Sequence, residues 1–417
     1  MRRIRAVSTV LVLAFIVGSC GSDDESTSGT DAVSTAAPDT TTGETAAPDT
    51  AAPETTTGET AAPDTAAPDT TSATTEPESR AVEGCENGWV EDYTLDPDVA
   101  SARCEPGFPA PIPLKEKITL RVQTGSGTSE PALPLIVGID KGEFAKENLE
   151  IELVQMGSGD AMQLIAQGDL DIVTNLTGGT YNLMNEDFPL TVVASGFYQS
   201  PDSQDGLWAK KDLEIADLKG KVVAASVFAT TAFYGSYRGF REAGFSFSDL
   251  QHLPVDTADG ALALKNGAAD AALVLGAAAV ASGLDQDPNF HFLAPFYWPG
   301  EPDSGILIGP STDTPEMEEA VVAFLRAYVR TISTYLGGDY KHDPAIQDDV
   351  ARLMEIPLET LQGSPPYIFD YFYRDGTLTG IQEMFRDADA LTYECCIRET
   401  DYLDRTFLER ALTKPGS

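Results

Sequence analysis

The chain has 417 residues and a formal net charge of −39, with 66 acidic side chains against 27 basic ones. That balance excludes a nucleic-acid binder, which needs a basic face to neutralise phosphate, and it implies a soluble surface. From Ile118 onward roughly 300 residues remain, too many for one ordinary core and enough for two lobes.

The first elements are not part of either lobe. Met1–Arg5 is basic, with Arg2, Arg3 and Arg5, and Ala6–Val17 is apolar but too short to span a bilayer as a mature anchor. Gly18, Ser19 and Cys20 follow. This layout resembles a bacterial lipoprotein signal, with Val17-Gly18-Ser19-Cys20 in place of the lipobox and Val17 where Leu is commoner. The resemblance implies a signal over residues 1–20, a lipid on Cys20 and an extracytoplasmic protein anchored to the cell membrane.

Residues 21–84 then read as a linker. Ala36–Thr50 (AAPDTTTGETAAPDT) recurs almost unchanged as Ala51–Thr65, and Ala66–Thr70 repeats AAPDT. These repeats contain no Leu, Ile, Phe or Trp, so stacked copies would have no core to bury. Regular Pro, abundant Thr and acidic residues favour an extended, solvated chain. About 65 residues of such a coil span about 45 Å, or on the order of 200 Å fully extended.

Residues 85–117 form a separate N-terminal segment carrying Cys85 and Cys104. With Cys20 lipidated, these and Cys395 and Cys396 leave an even number in an exported chain, which predicts disulfides. Four cysteines allow three pairings. A bond between neighbours strains its ring, because bridged Cα atoms usually lie about 4.4–6.8 Å apart. The favoured expectation is therefore cross-pairing of Cys85 and Cys104 with Cys395 and Cys396, with a local Cys85–Cys104 bridge as the alternative if Trp89 and Tyr93 dock the segment unaided. A C-x-x-C spacing is absent and His252, His291 and His342 lie far apart, so no metal site is expected.

From Ile118 strands and helices alternate. Ile118–Gln123 alternates apolar residues at period two and reads as a strand. A Gly125–Ser129 loop follows, then a helical pattern over Leu133–Leu149 broken at Gly138 and Gly142, and a strand at Glu150–Val154. A short helix Asp160–Gln167 ends at Gly168, Asp171–Thr174 is a strand, Asn175–Thr180 a polar loop, and Leu190–Ala194 a strand. The half-pattern then repeats: strand Lys221–Ala225, loop Ser226–Thr231, helix Ala232–Ala243, helix Ala258–Lys265 closed by Gly267, and strand Ala271–Leu275. Thr314–Leu336 is a helix with Thr314 as cap, Pro315 at the first position and Gly337-Gly338 at its end. Such alternation predicts mostly parallel sheets flanked by helices. The expected organisation is lobe one over residues 118–205, lobe two over 206–298, and completion of lobe one with C-terminal helices over 299–417.

Here the order of motifs becomes specific. Gly142/Phe144/Leu149, Gly157-Ser158-Gly159 and Gly168-Asp169-Leu170-Asp171, followed by Asp217–Val223 (DLKGKVV), Lys265–Ala272 and Asp401–Leu412, resemble the substrate-binding proteins of ABC importers for nitrate, sulfonates, taurine and thiamine-pyrimidine precursors. The resemblance covers roughly Ile118–Leu412. It implies a two-lobed, type II periplasmic-binding-protein-like α/β fold, no cofactor and no catalysis. It also implies a small-molecule ligand and an ABC permease and ATPase as partners, with the chain acting as a monomer.

Residue by residue the reading is plainer. Gly168 and Gly267 stop helices where the chain must turn back into a sheet, and Asp171 and Asp270 satisfy backbone donors at strand starts. Ligands in open α/β sheets lie beyond the carboxyl ends of the strands, which selects Ser126, Thr128 and Ser129 after the first strand and Asn175, Thr177 and Gly178 after the third. In lobe two it selects Thr230, Thr231 and Tyr234, with Gly276 after the AALVL strand, and the lobe crossings add Tyr198 and Trp298 as stacking faces. Glu130 either meets a ligand amino group or favours a helix start. Phe233 and Tyr237 read as core, and Arg238 and Arg241 as solvated surface. The function implied is capture of a pyrimidine-type heterocycle or a sulfonate- or nitrate-type anion between the lobes. The alternatives are a surface sensor with the same fold and a thiamine-pyrimidine synthase-like enzyme. The latter lacks a cleft histidine and a G-x-S-x-G elbow at the right turn.

Overall fold

The computed structural model describes residues 84–85, 104–125, 129–200, 202–226, 228, 230–297, 303–373 and 375–413. Lobe one opens with β1 (Ile118–Thr124), α1 (Leu133–Asp140), β2 (Leu149–Gln155), α2 (Ser158–Gln167), β3 (Ile172–Val173), α3 (Gly178–Asn185) and β4 (Thr191–Gln199). Lobe two holds β5 (Gly206–Lys210), β6 (Val222–Ala225), α4 (Tyr234–Glu242), β7 (Gln251–Pro254), α5 (Gly260–Lys265), β8 (Ala271–Val274), α6 (Gly276–Ser282) and β9 (Phe290–Pro295). The chain then returns through β10 (Asp303–Ile308), α7 (Pro315–Tyr335), α8 (Gln347–Leu353), α9 (Leu358–Gln362), β11 (Tyr367–Phe369), α10 (Thr377–Asp387) and α11 (Thr406–Leu412). No described helix is long and apolar enough to cross a membrane.

The first sheet has the order β11-β4-β10-β3-β1-β2 and the second β7-β6-β8-β5-β9. β1 pairs in parallel with β2 and β3, and β6 with β7 and β8. The strands that arrive from the other lobe insert in the opposite sense. β5 lies antiparallel between β8 and β9, and β10 antiparallel between β3 and β4. The parallel alternation expected from the sequence thus describes β1–β3 and β6–β8, and the crossings supply the antiparallel pairs that make each sheet mixed. Each crossing joins the lobes at one edge and leaves the carboxyl ends of β1, β3, β6 and β8 free to form a site.

Local chemistry explains the boundaries. Gly168 and Gly267 adopt φ of +78° and +79°, the left-handed geometry a side chain resists. Asp171 Oδ2 accepts the Arg121 N–H at 2.8 Å, and Asp270 Oδ2 accepts the Val222 N–H at 3.1 Å, as the sequence reading required. Thr314 caps α7 through the Met317 N–H.

The buried side of α7 is not wholly apolar. Arg330 Nε donates to Glu143 Oε2 at 2.8 Å and its Nη1 to Glu147 Oε1 at 2.8 Å, while Arg326 Nη1 reaches Glu147 Oε2 at 2.9 Å. The same helix receives the N-terminal segment. Arg330 also donates to the Pro109 carbonyl, Ser333 to that of Phe108 and Arg326 to that of Ile112, and the Gly107 N–H donates to Thr334 Oγ1.

That docking corrects the disulfide expectation. Cys85 joins Cys104 and Cys395 joins Cys396, so the cross-paired arrangement is not adopted. The segment after Cys104 is held by α7 through backbone hydrogen bonds and needs no covalent tie to the C-terminal region. The docking comes from Phe108, Pro109 and Ile112; Trp89 and Tyr93 lie outside the described residues, as does Cys20.

Candidate functional site

Above the lobe-one sheet, at the carboxyl ends of β1 and β3, lies a cavity of about 160 Å³. Gly125 and Ser129 follow β1, and Thr174 and Asn175 follow β3. Phe197 on β4, Ile306 on β10, Leu135 on α1 and Tyr328 on α7 complete its walls. Among the described residues its lining contains no basic and no acidic side chain. The volume lies well below the range of about 300–1,000 Å³ usual for drug-sized ligands and suits a small solute.

Lobe two faces this edge. Thr177, at the start of α3, forms an isolated antiparallel bridge with Thr230, which precedes α4, so the two lobes touch backbone to backbone. Thr177 is otherwise committed: its hydroxyl accepts the Thr180 N–H at 3.3 Å, and its own N–H donates to Thr180 Oγ1 at 3.0 Å. Thr230 caps no helical N–H with its side chain. Thr231 is buried, with its hydroxyl 3.3 Å from Tyr297 Oη.

The crossings are braced by Gln199, which is buried. Its Nε2 donates to the Asp205 carbonyl at 3.2 Å and its Oε1 accepts the Tyr297 N–H at 3.2 Å, tying both connections together. Beside it sits a buried ionic cluster. Glu130 Oε2 accepts from Lys341 Nζ at 2.9 Å, its Oε1 accepts from Tyr340 Oη, and Lys341 also reaches Ser364 Oγ at 2.9 Å. Burial raises the Glu130 carboxyl above its ordinary range and nearby Asp205 adds to the rise, against the opposing pull of Lys341 and Tyr340. Asp205 accepts the Gly276 N–H at 2.7 Å and the Ser203 hydroxyl at 2.9 Å.

The residues singled out from sequence therefore fall into distinct places. Ser129 and Asn175 line the cavity. Thr177, Thr230 and Thr231 stand at the lobe junction. Gly178 is packed shut, because a Cβ there would meet Ala390 at 2.8 Å. Tyr198 is buried and pairs in register with Ile368, while Phe197, one residue earlier and on the other face of β4, lines the cavity together with Tyr328. Tyr234 packs on α10, its hydroxyl lying 2.2 Å from where a Cβ on Gly380 would stand. The Gly276 N–H is spent on Asp205, and Glu130 meets Lys341. Ser126, Thr128 and Trp298 lie outside the described residues. Sequence reasoning missed Asp205, Gln199 and Lys341, and at the Phe197–Tyr198 crossing it chose Tyr198, the ring on the other side of the strand alternation.

A two-lobed fold of mixed sheets, with a small cavity at the carboxyl ends of the lobe-one strands, is that of the periplasmic binding proteins. Solved structures similar to this chain include such proteins. The alkanesulfonate-binding protein SsuA from Xanthomonas axonopodis pv. citri, bound to MOPS, superposes with a TM-score of 0.50 at 17% identity, over 70% of this chain and 99% of that one. The periplasmic nitrate-binding protein NrtA from Synechocystis PCC 6803 gives 0.52 at 14%, over 71% and 88%. A ligand-binding component of an ABC-type import system from Staphylococcus aureus, solved with zinc bound, gives 0.54 at 10%, over 71% and 99%. At these identities the likeness is one of fold. By sequence, residues 131–337 match the family model described as NMT1/THI5 like. Comparison with curated proteins finds no match.

Proposed function

We infer that the chain is an extracytoplasmic solute-binding lipoprotein. It captures a small organic molecule between its lobes and delivers it to the permease of an ABC importer, tethered through Cys20 and the repeat-rich linker. The NMT1/THI5-like domain on a binding-protein fold supports solute binding. The observation that carries the reading is the small cavity at the carboxyl ends of β1 and β3; the Thr177–Thr230 bridge, two residues on from Asn175, supports closure of lobe two toward it. Ser129, Asn175, Thr230 and Thr231 provide the polar contacts and Phe197 the stacking face. Ligand bridging the lobes stabilises the closed form, which the permease distinguishes from the open one. The uncharged lining favours a pyrimidine-type heterocycle over a sulfonate or nitrate.

A thermal-shift screen of residues 81–417 against pyrimidines, sulfonates, nitrate and amino acids tests this. A pyrimidine that raises the melting temperature and shrinks the particle in small-angle scattering is the expected result. A ligand that stabilises the protein from an outer face overturns it. For the anchor, mass spectrometry of the membrane fraction should show a mature chain beginning at a diacylglyceryl-modified Cys20.

A further inference from the structure

Taking the interlobe cleft as the binding site, and so resting on the reading above, we propose that Asp205 sets the charge the cleft accepts: a resident carboxylate that excludes anionic solutes. Asp205 stands at the crossing into β5 and is buried. Its hydrogen-bond donors are neutral: the Gly276 N–H to Oδ1 at 2.7 Å and the Ser203 hydroxyl to Oδ2 at 2.9 Å, with its own N–H returned to Ser203 Oγ at 3.2 Å. Gly276 follows β8, at the strand end where lobe two would present an N–H to a bound oxyanion. That donor is already taken by the protein's own anion.

The surroundings reinforce the effect. Glu130, in lobe one, is buried close to Asp205, and Lys341 is the cation paired with it. With both acids ionised, the cluster carries a net charge of −1. The remaining groups against it, Tyr340, Tyr367 and Ser364, are neutral hydroxyls. The cluster reaches the cavity through Phe197, whose ring stacks on Tyr367 at 4.8 Å, and through Ser129 and Pro131, which flank Glu130 and line the cavity. A nitrate or sulfonate entering here adds a further negative charge at low dielectric, and juxtaposed like charges are strongly disfavoured. A neutral heterocycle meets no such penalty, and a cationic one restores neutrality. Specificity then comes from a repulsive element rather than from an added contact.

The experiment is calorimetric titration of wild type, Asp205→Asn and Glu130→Gln with nitrate, methanesulfonate and 4-aminopyrimidine. Asp205→Asn keeps the shape and an oxygen acceptor for the Gly276 N–H while removing the charge. Glu130→Gln removes the second acid of the cluster and serves if the first variant does not fold. Each folded variant should bind the anions at least about tenfold more tightly than wild type, a change of about 1.4 kcal/mol. Folded variants with anion affinity unchanged from wild type overturn the proposal, as does a wild type that prefers nitrate or methanesulfonate to 4-aminopyrimidine. Failure of the cleft reading shows differently, as the absence of any stabilising solute in the wild-type screen.

Discussion

The two lobes start from the same device and are finished with different chemistry. In each, a left-handed glycine ends a helix and an aspartate a few residues later takes an N–H from the neighbouring strand: Gly168 with Asp171, and Gly267 with Asp270. Each aspartate also holds a cation, Arg121 at 2.8 Å and Lys210 at 2.6 Å. Beyond this the lobes diverge. Lobe one is fastened by the buried Arg326 and Arg330 pairs with Glu143 and Glu147. Lobe two is fastened by rings, with Phe247 within 5.4 Å of Phe233 and 5.6 Å of Phe240. The shared device explains why the sequence motif occurs twice, and it has no need of a ligand. Lobe one, which carries the cavity and the N-terminal segment, thus adds buried directional ion pairs to its ring packing, whereas the ion pairs of lobe two, Lys210–Asp270 and Lys219–Asp249, are partly exposed.

The comparison is broken most severely at Arg330. Arg330→Leu leaves Glu143 and Glu147 buried with reduced compensation and frees the Pro109 carbonyl. A loss of about 3–5 kcal/mol is expected, read by urea denaturation. A change below about 1 kcal/mol would mean that packing, not charge, holds α7.

Next in size are the paired aspartates. Asp171 is buried and also receives Ser311 Oγ at 2.7 Å, whereas Asp270 is partly exposed. Asp171→Ala should cost about 2 kcal/mol and Asp270→Ala about 1 kcal/mol or less. Burial pushes both carboxyls up, but the Arg121 guanidinium and N–H, and the Lys210 ammonium with the Val222 N–H, hold them below the ordinary range. A depressed native value means the unfolded chain takes up protons first as pH falls. The stabilisation is therefore complete above an unfolded value of about 3.9 and is lost as pH drops through the native one. Melting temperatures measured down to pH 2 should show a flatter acid limb in Asp171→Ala than in Asp270→Ala.

These contacts differ in how far they could be read in the sequence, and the division is physical. The positions of β1, α2 and α7 follow from local periodicity and caps, and the Asp171 and Asp270 roles follow from their place beside a helix-ending glycine. The antiparallel insertion of β5 and β10 does not, because a strand such as GLWAK carries no mark of its direction. The same holds for Glu130, whose partners Tyr340 and Lys341 lie 210 and 211 residues away and carry no local signal. Arg326 and Arg330 interrupt an apolar helix face, and only the three-dimensional position of Glu143 and Glu147 explains them. Cysteine pairing was misjudged because the docking of the segment after Cys104 rests on backbone carbonyls, which sequence patterns do not display.

The finest contrast between the lobes is at the glycines that open α3 and α6. Both are buried, and in sequence they look equivalent. Their surroundings differ. A Cβ on Gly178 would lie 2.8 Å from Ala390 Cβ and 3.0 Å from its carbonyl, so a methyl must displace backbone. One on Gly276 would lie 3.5 Å from Ser364 Cβ and 3.6 Å from Asp205 Oδ1, which is ordinary contact, and the N–H given to Asp205 is untouched. Gly178→Ala should therefore cost about 1–3 kcal/mol through overpacking. Gly276→Ala should be neutral or stabilising by up to about 1 kcal/mol, because it removes backbone freedom from the unfolded chain at a helical position. Paired denaturation curves decide it. A larger loss in Gly276→Ala than in Gly178→Ala would show that the lobe-two edge, with its Asp205 contact, tolerates less change than the packed edge of lobe one.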